Sequence, residues 1–331
     1  MSEKQSKLLE IKDLSVEYCT DYGVAKAVNH LNLELEEGEA FGLVGESGSG
    51  KTTTALSILR LLPNNVGFKT GGGIKLRGQD LDKLSERKMQ DMRGNAVSMI
   101  FQNPLTSLNP VFTVGEQIAM VIMKHQKCSK REAYKKAGDM LELVGISRER
   151  LYEYPHQFSG GMRQRVGIAA GLACNPALLI ADEPTTALDV TIQLQVIELI
   201  KKLQREYKTS LLMITHNLGI ISELCSKVAV MYAGSIIEVG PVDKVFLQPK
   251  HPYTVGLIGS MPKLVGERDR LVAIPGSAAS ANKLPAGCPF HVRCEHCTER
   301  CKTQMPEMVQ LDDGRSVACH LYSNPEVKSD G

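Results

Sequence analysis

Several things are scarce in this sequence, and each scarcity closes a class of function. No stretch approaches the roughly 20 consecutive apolar residues that span a bilayer, so no membrane span is expected from the chain itself. An excess of one charge is also missing: 39 basic residues stand against 37 acidic ones. Bulk electrostatics therefore give no reason to expect a nucleic-acid binder. The first residues, Met1-Ser2-Glu3-Lys4-Gln5-Ser6-Lys7, are polar and hold no apolar leader. Internal repeats, low-complexity runs and coiled-coil heptads are absent. With 331 residues and 43% hydrophobic content, the chain can bury a large core and has length for more than one domain. The expectation is a soluble cytosolic protein, attached to a membrane only through partners.

What is present starts with Gly45-Glu46-Ser47-Gly48-Ser49-Gly50-Lys51-Thr52. It follows the apolar run Ala40-Phe41-Gly42-Leu43-Val44 and precedes Thr53-Thr54-Ala55-Leu56-Ser57-Ile58-Leu59, so it joins a buried strand to a helix. Such a turn points successive backbone N–H groups and a positive helix N-terminus at one spot, which suits a triphosphate. Lys51 is expected to reach the β and γ phosphates and the Thr52 hydroxyl to ligate Mg²⁺.

Farther on, Ala177-Leu178-Leu179-Ile180-Ala181-Asp182-Glu183-Pro184 is a short apolar run ending in two carboxylates. It reads as a buried parallel strand, whose C-terminal end is where ligands bind in open α/β sheets. Asp182 would hold Mg²⁺ directly or through water, and Glu183 would orient or deprotonate the attacking water.

Between these segments lies Ser159-Gly160-Gly161-Met162-Arg163-Gln164. Paired with the phosphate loop about a hundred residues earlier, it resembles the signature of ATP-binding cassette (ABC) transporter ATPases, over about Leu8 to Pro252. The resemblance implies an α/β fold: a RecA-like phosphate-loop core with an antiparallel β subdomain, an α-helical subdomain and, here, a small C-terminal cysteine-rich extension. It also implies that Gln102, after Val97-Ser98-Met99-Ile100-Phe101, senses the metal and water, and that His216 contacts the γ phosphate. Thr186-Ala187-Leu188-Asp189 matches the loop that crosses to the opposite subunit, and Tyr18 fits the aromatic that stacks on adenine, with Tyr22 close by. Gly45, Ser47, Gly48, Ser49, Gly50, Thr52 and Thr53 would surround the nucleotide of one subunit, while Ser159 and Gly161 would serve the nucleotide of the other. Asn217 stands where such ATPases commonly carry Asp, which keeps the shape and drops the charge.

The ATPase domain is assigned to 8–250, with a helical subdomain at about 103–172 whose apolar residues recur three and four apart in 115–123 and 133–141. Gly71-Gly72-Gly73-Ile74-Lys75-Leu76-Arg77-Gly78 reads as a strand bounded by glycines.

The extension, 251–331, holds five of the nine cysteines within 32 residues: Cys288, Cys294, Cys297, Cys301 and Cys319. In a cytosolic chain such a cluster points to metal rather than disulfides. His251-Pro252-Tyr253-Thr254 and the segments around Cys288 and Cys319 resemble the C-terminal extension of the dipeptide, oligopeptide and nickel importer ATPases. In that family the tail can hold a four-iron, four-sulfur cluster; Cys288, Cys294, Cys301 and Cys319 match, with five, six and seventeen residues between them. Zinc is the alternative, because Cys294 and Cys297 have two residues between them and His291, His296 and His320 are near in sequence. The expected machine contains a second, non-identical ATPase, two transmembrane permease subunits and an extracytoplasmic substrate-binding protein. The chain would sit at the cytoplasmic face of the cell membrane and drive import of di- or oligopeptides, with nickel or oligosaccharide as other cargo. A soluble cassette factor acting on ribosomes or nucleic acid is the alternative; such families carry two cassettes or a coiled-coil insertion, and this chain has neither.

Overall fold

The structure, a computed structural model, describes residues 6–21, 23–102, 107–186, 188–260 and 274–323. Two compact units divide the chain: the first holds residues 1–10, 34–40 and 75–215, the second 11–33, 41–74 and 216–331. Tyr22, Ala187 and the start of the expected helical subdomain at 103–106 lie outside the described residues.

In the first unit, β6 (Val97–Ile100), β7 (Leu178–Asp182) and β8 (Ser210–Ile214) form parallel pairs, in register from Val97↔Leu178 and from Leu178↔Ser210. Every residue of β7 and β8 is buried, as the uninterrupted apolar runs require of parallel strands covered on both faces. The helices carry their own start signals. Thr113 caps α3 (Val114–His125), and Ser129 with Glu132 forms a capping box on α4 (Lys130–Leu143). Two further helices are α5 (Gly160–Leu172) and α6 (Val190–Tyr207), the latter burying Val196, Ile197, Ile200 and Leu203 at helical spacing. A shorter helix, α2 (Glu86–Met92), has the Ser85 hydroxyl as its cap.

The second unit contains the strand order β11-β12-β10-β9-β3, with β3 (Ala40–Val44) parallel to β9 (Lys227–Tyr232). The pairs of β9 with β10 (Ser235–Pro241) and of β10 with β12 (Ser316–Val317) are antiparallel, as is that of β12 with β11 (Val309–Gln310). The C-terminal cysteine region thus adds its strands to the sheet that holds β3, β9 and β10. A buried ion pair marks the seam: Arg315 Nη1 lies 3.9 Å from Glu238 Oε1, and Glu238 also accepts from the N–H groups of Lys250 and His251. Asp313 completes the seam, and the Arg315 guanidinium beside it holds its carboxyl down at about 2.

Strands β2 (Gly23–Glu36), β1 (Lys7–Thr20) and β4 (Gly67–Leu76) lie side by side in a second sheet. The glycines at 71–73 do not bound β4, as the sequence suggested, but sit inside it. Gly72 takes φ +78°, and a Cβ there would stand 2.3 Å from the Asp13 carbonyl oxygen. A glycine run at a close backbone approach looks, in sequence, like one at a turn.

Candidate functional site

The phosphate loop belongs to the second unit. It runs from the end of β3 to α1 (Lys51–Ile58), and Gly45, Gly48 and Gly50 adopt φ of +153°, +78° and +101°. A Cβ at Gly45 would meet the Met231 carbonyl oxygen at 2.1 Å, and one at Gly50 the Ala27 oxygen at 2.3 Å. Only glycine fits both. The loop curls around Lys51, which is only 6% exposed. Its Nζ donates to the carbonyl oxygens of Gly45 and Glu46, both at 2.8 Å, and to Ser49 Oγ at 3.3 Å. The ammonium and the first N–H groups of α1 are thereby gathered at one loop, an arrangement suited to an anion.

Three other expected residues fall in this unit. The Tyr18 hydroxyl is 3.3 Å from Thr53 Oγ1, with its ring edge packed at Gly67. His216 is exposed. Asn217 caps α7 (Leu218–Leu224), its Oδ1 accepting from the Gly219 N–H at 3.0 Å, so the amide has a local structural task.

The carboxylates belong to the first unit. Asp182 ends β7 and is buried. Glu183 follows it at φ +45°, a left-handed conformation that costs a non-glycine residue energy and is concentrated at functional sites. Its N–H donates to the Ile214 carbonyl at 2.8 Å. Its Oε2 accepts from Gln102 Nε2 at 2.8 Å and Thr186 Oγ1 at 2.9 Å, so the structure brings Gln102 and Glu183 together. Ser159 caps α5, its Oγ accepting from the Met162 N–H, and Asp189 caps α6 in the same way through Ile192. Gly161 is packed so closely that a Cβ would stand 2.4 Å from Ile192 Cγ2.

In the extension, His251 is the cap of α8 (Pro252–Gly259), with Pro252 in the first turn and His251 Nδ1 accepting from the Tyr253 N–H at 3.0 Å. Burial lowers its pKa to about 3, so the ring is neutral in the folded protein. A cavity of about 220 Å³ opens beside it, lined by Cys288, Cys294, Cys301 and Cys319 together with His291, His296 and His320. Cys297 is not in that lining, and its thiol contacts the Thr298 carbonyl. Burial, with the neighbouring thiols adding to it, pushes Cys288 up to about 11; burial raises Cys294 and Cys319 as well. Among the described residues no three His, Cys, Asp or Glu side chains are arranged to hold a single metal ion.

Sequence reasoning missed the contacts of Glu46. Its carboxylate pairs with Arg293 at 3.0 Å, and its N–H donates to the Tyr253 hydroxyl at 2.9 Å. The available signals were faint: a charged residue inside the phosphate loop, and an arginine beside Cys294.

Two family models match the chain, one described as ABC transporter over residues 28–186 and one as oligopeptide/dipeptide transporter, C-terminal region, over 237–301. The oligopeptide transport ATP-binding protein AppD of Bacillus subtilis is 49% identical over 319 residues, covering 96% of this chain and 97% of that protein. OppD of Salmonella typhimurium, carrying the same description, is 48% identical over 94% of this chain and 93% of its own length. Among solved structures, the dimeric post-hydrolysis state of the ATP-binding cassette MJ0796, bound to ADP and Pi, covers 71% of this chain and 99% of its own, with TM-score 0.64 and 26% identity. Among the described residues no helix is long and apolar enough to cross a membrane. On this similarity across nearly its whole length, the chain belongs to the ABC transporter family, among the ATP-binding proteins of oligopeptide and dipeptide transport.

Proposed function

We propose that this chain hydrolyses ATP to drive a binding-protein-dependent importer of di- or oligopeptides. The observation that carries the chemistry is Glu183, held in a left-handed backbone with its carboxylate oriented by Gln102 and Thr186 at the end of a buried strand. Lys51 and Thr53 serve the triphosphate, while Thr52, Asp182 and Gln102 serve Mg²⁺. Glu183 accepts a proton from water as its oxygen bonds to the γ phosphorus, the bond to the β-phosphate oxygen breaks, and ADP and phosphate leave. His216 steadies the γ phosphate and Tyr18 the adenine. Ser159, Gly161 and Asp189 act across the interface with a second, non-identical ATPase, and two permease subunits and an extracytoplasmic binding protein complete the importer at the cytoplasmic face of the membrane. The support for these roles is the motif order and the family of the chain. Domain limits of 8–250 for the ATPase, with helices from about 103 to 172, and 251–331 for the extension are part of the same reading.

Cys288, Cys294, Cys301 and Cys319 would hold a four-iron, four-sulfur cluster that ties the extension together. What supports this is that these four thiols, and not Cys297, line one cavity, where burial disfavours the thiolates of Cys288, Cys294 and Cys319 unless a cationic group compensates them. Zinc held by cysteines and histidines of the same lining is the alternative. No step of phosphoryl transfer requires redox chemistry, so the cluster is read as structural or regulatory rather than catalytic.

Reconstituting the chain with its partner ATPase and permease subunits in liposomes tests the transport reading. ATP turnover should rise when peptide-loaded binding protein is added, and labelled peptide should accumulate. Turnover without peptide accumulation would assign another cargo.

A further inference from the structure

Glu46 lies inside the phosphate loop, yet the far end of the chain grips it. Arg293 Nη1 and Nη2 donate to Glu46 Oε2 and Oε1 at 3.0 and 3.2 Å, a bidentate pair between residues 247 apart in sequence. The arginine side chain is 6% exposed and the glutamate 29%. Other groups fix the guanidinium: Nε donates to the Pro275 carbonyl at 2.8 Å and Nη1 to the Tyr232 hydroxyl at 3.4 Å, and the rings of Tyr232 and Phe290 each lie 5.9 Å from its centre. A second grip falls on the main chain, where the Glu46 N–H donates to the Tyr253 hydroxyl at 2.9 Å. The carbonyl of the same residue accepts from Lys51 Nζ at 2.8 Å. One residue therefore connects the C-terminal extension to the loop lysine.

A carboxylate in a loop that receives a triphosphate is of the wrong sign for its ligand. Arg293 cancels that charge in a half-buried place where solvent screens it poorly. Its fork also fixes the carboxylate's direction, which a flexible ammonium would not. We propose that Arg293 and Tyr253 are positioning residues for the nucleotide, Arg293 neutralising Glu46 and Tyr253 pinning the loop's main chain at the same position. This rests on the reading of the loop as the ATP site.

The test uses the full-length chain for MgATP affinity, measured with a fluorescent ATP analogue, and the assembled transporter for steady-state kinetics. Arg293→Ala should weaken MgATP binding roughly tenfold and raise KM, with kcat at saturating ATP within about twofold of the unmodified protein. Adding Glu46→Gln to that variant removes the stranded charge and should return affinity to within about threefold. Tyr253→Phe should weaken binding by about threefold. A purely structural role for Arg293 would instead lower the urea midpoint of the Arg293 variant while leaving the MgATP affinity of the folded protein unchanged. If Arg293→Ala does not fold, Arg293→Met fills its space and is read in the same way. Unchanged affinity in a folded Arg293 variant, or a double variant as weak as the single one, would overturn the proposal. Failure of the unmodified protein to bind MgATP would strike the ATP-site reading instead.

Discussion

Replacing Glu183 with Gln separates chemistry from architecture. Both Gln102 Nε2, at 2.8 Å, and Thr186 Oγ1, at 2.9 Å, donate to the same oxygen, Glu183 Oε2. A glutamine carbonyl in that place can accept both, so the variant loses only the charge-assisted part of two hydrogen bonds, about 1 kcal/mol. The backbone at φ +45° is no more strained for Gln than for Glu. Against a total stability of about 5–15 kcal/mol the fold should survive. The amide, however, cannot take the proton of the attacking water. Loss of a general base slows the step by roughly 10²–10⁴-fold, or about 3–5 kcal/mol of barrier. The kinetic effect thus exceeds the structural one several-fold. Phosphate release by the assembled transporter at saturating MgATP, alongside nucleotide titration, reads both quantities. Hydrolysis within tenfold of the unmodified rate, at unchanged affinity, would remove Glu183 as the base.

Lys51→Ala should act on binding instead, lowering ATP affinity roughly 10–100-fold because a charge-assisted partner of the phosphates is lost; a titration matching the unmodified protein would refute its role. Anaerobically purified protein should be brown with about four irons per chain, Cys288→Ser or Cys319→Ser should bleach it, and Cys297→Ser should leave iron nearly unchanged. Stoichiometric zinc in colourless protein, or iron lost with Cys297, would refute that ligand set. His251 is neutral when folded, with its pKa at about 3, while the unfolded chain protonates it below its ordinary value of 6.5. Stability should therefore fall as pH drops from 6.5 toward 3, by about 1.4 kcal/mol per pH unit, or about 2 kcal/mol at pH 5. His251→Asn keeps a capping oxygen for the Tyr253 N–H, and its urea midpoint should drop less between pH 7.5 and 5; an equal drop would refute the assignment.

What the sequence by itself determined is local. The strand, glycine loop and helix at 40–58 could be read because left-handed turns demand glycine at 45, 48 and 50, and because the apolar run of β3 is contiguous. The helical segments at 115–123 and 133–141 could be read because the spacing of apolar residues is a short-range code, while their caps and full bounds came from the structure. Tertiary structure decided what depends on residues far apart meeting. That β4 runs through its glycines depends on the approach of Asp13. That Glu183 is left-handed, with Gln102 and Thr186 on one of its oxygens, depends on the pairing of three strands. That the extension joins the ATPase sheet through Val317 and Glu238, and grips the phosphate loop through Arg293 and Tyr253, has no periodicity to announce it. Charge pairs and aromatic contacts are specified by position in space, and a linear pattern records only neighbours along the chain.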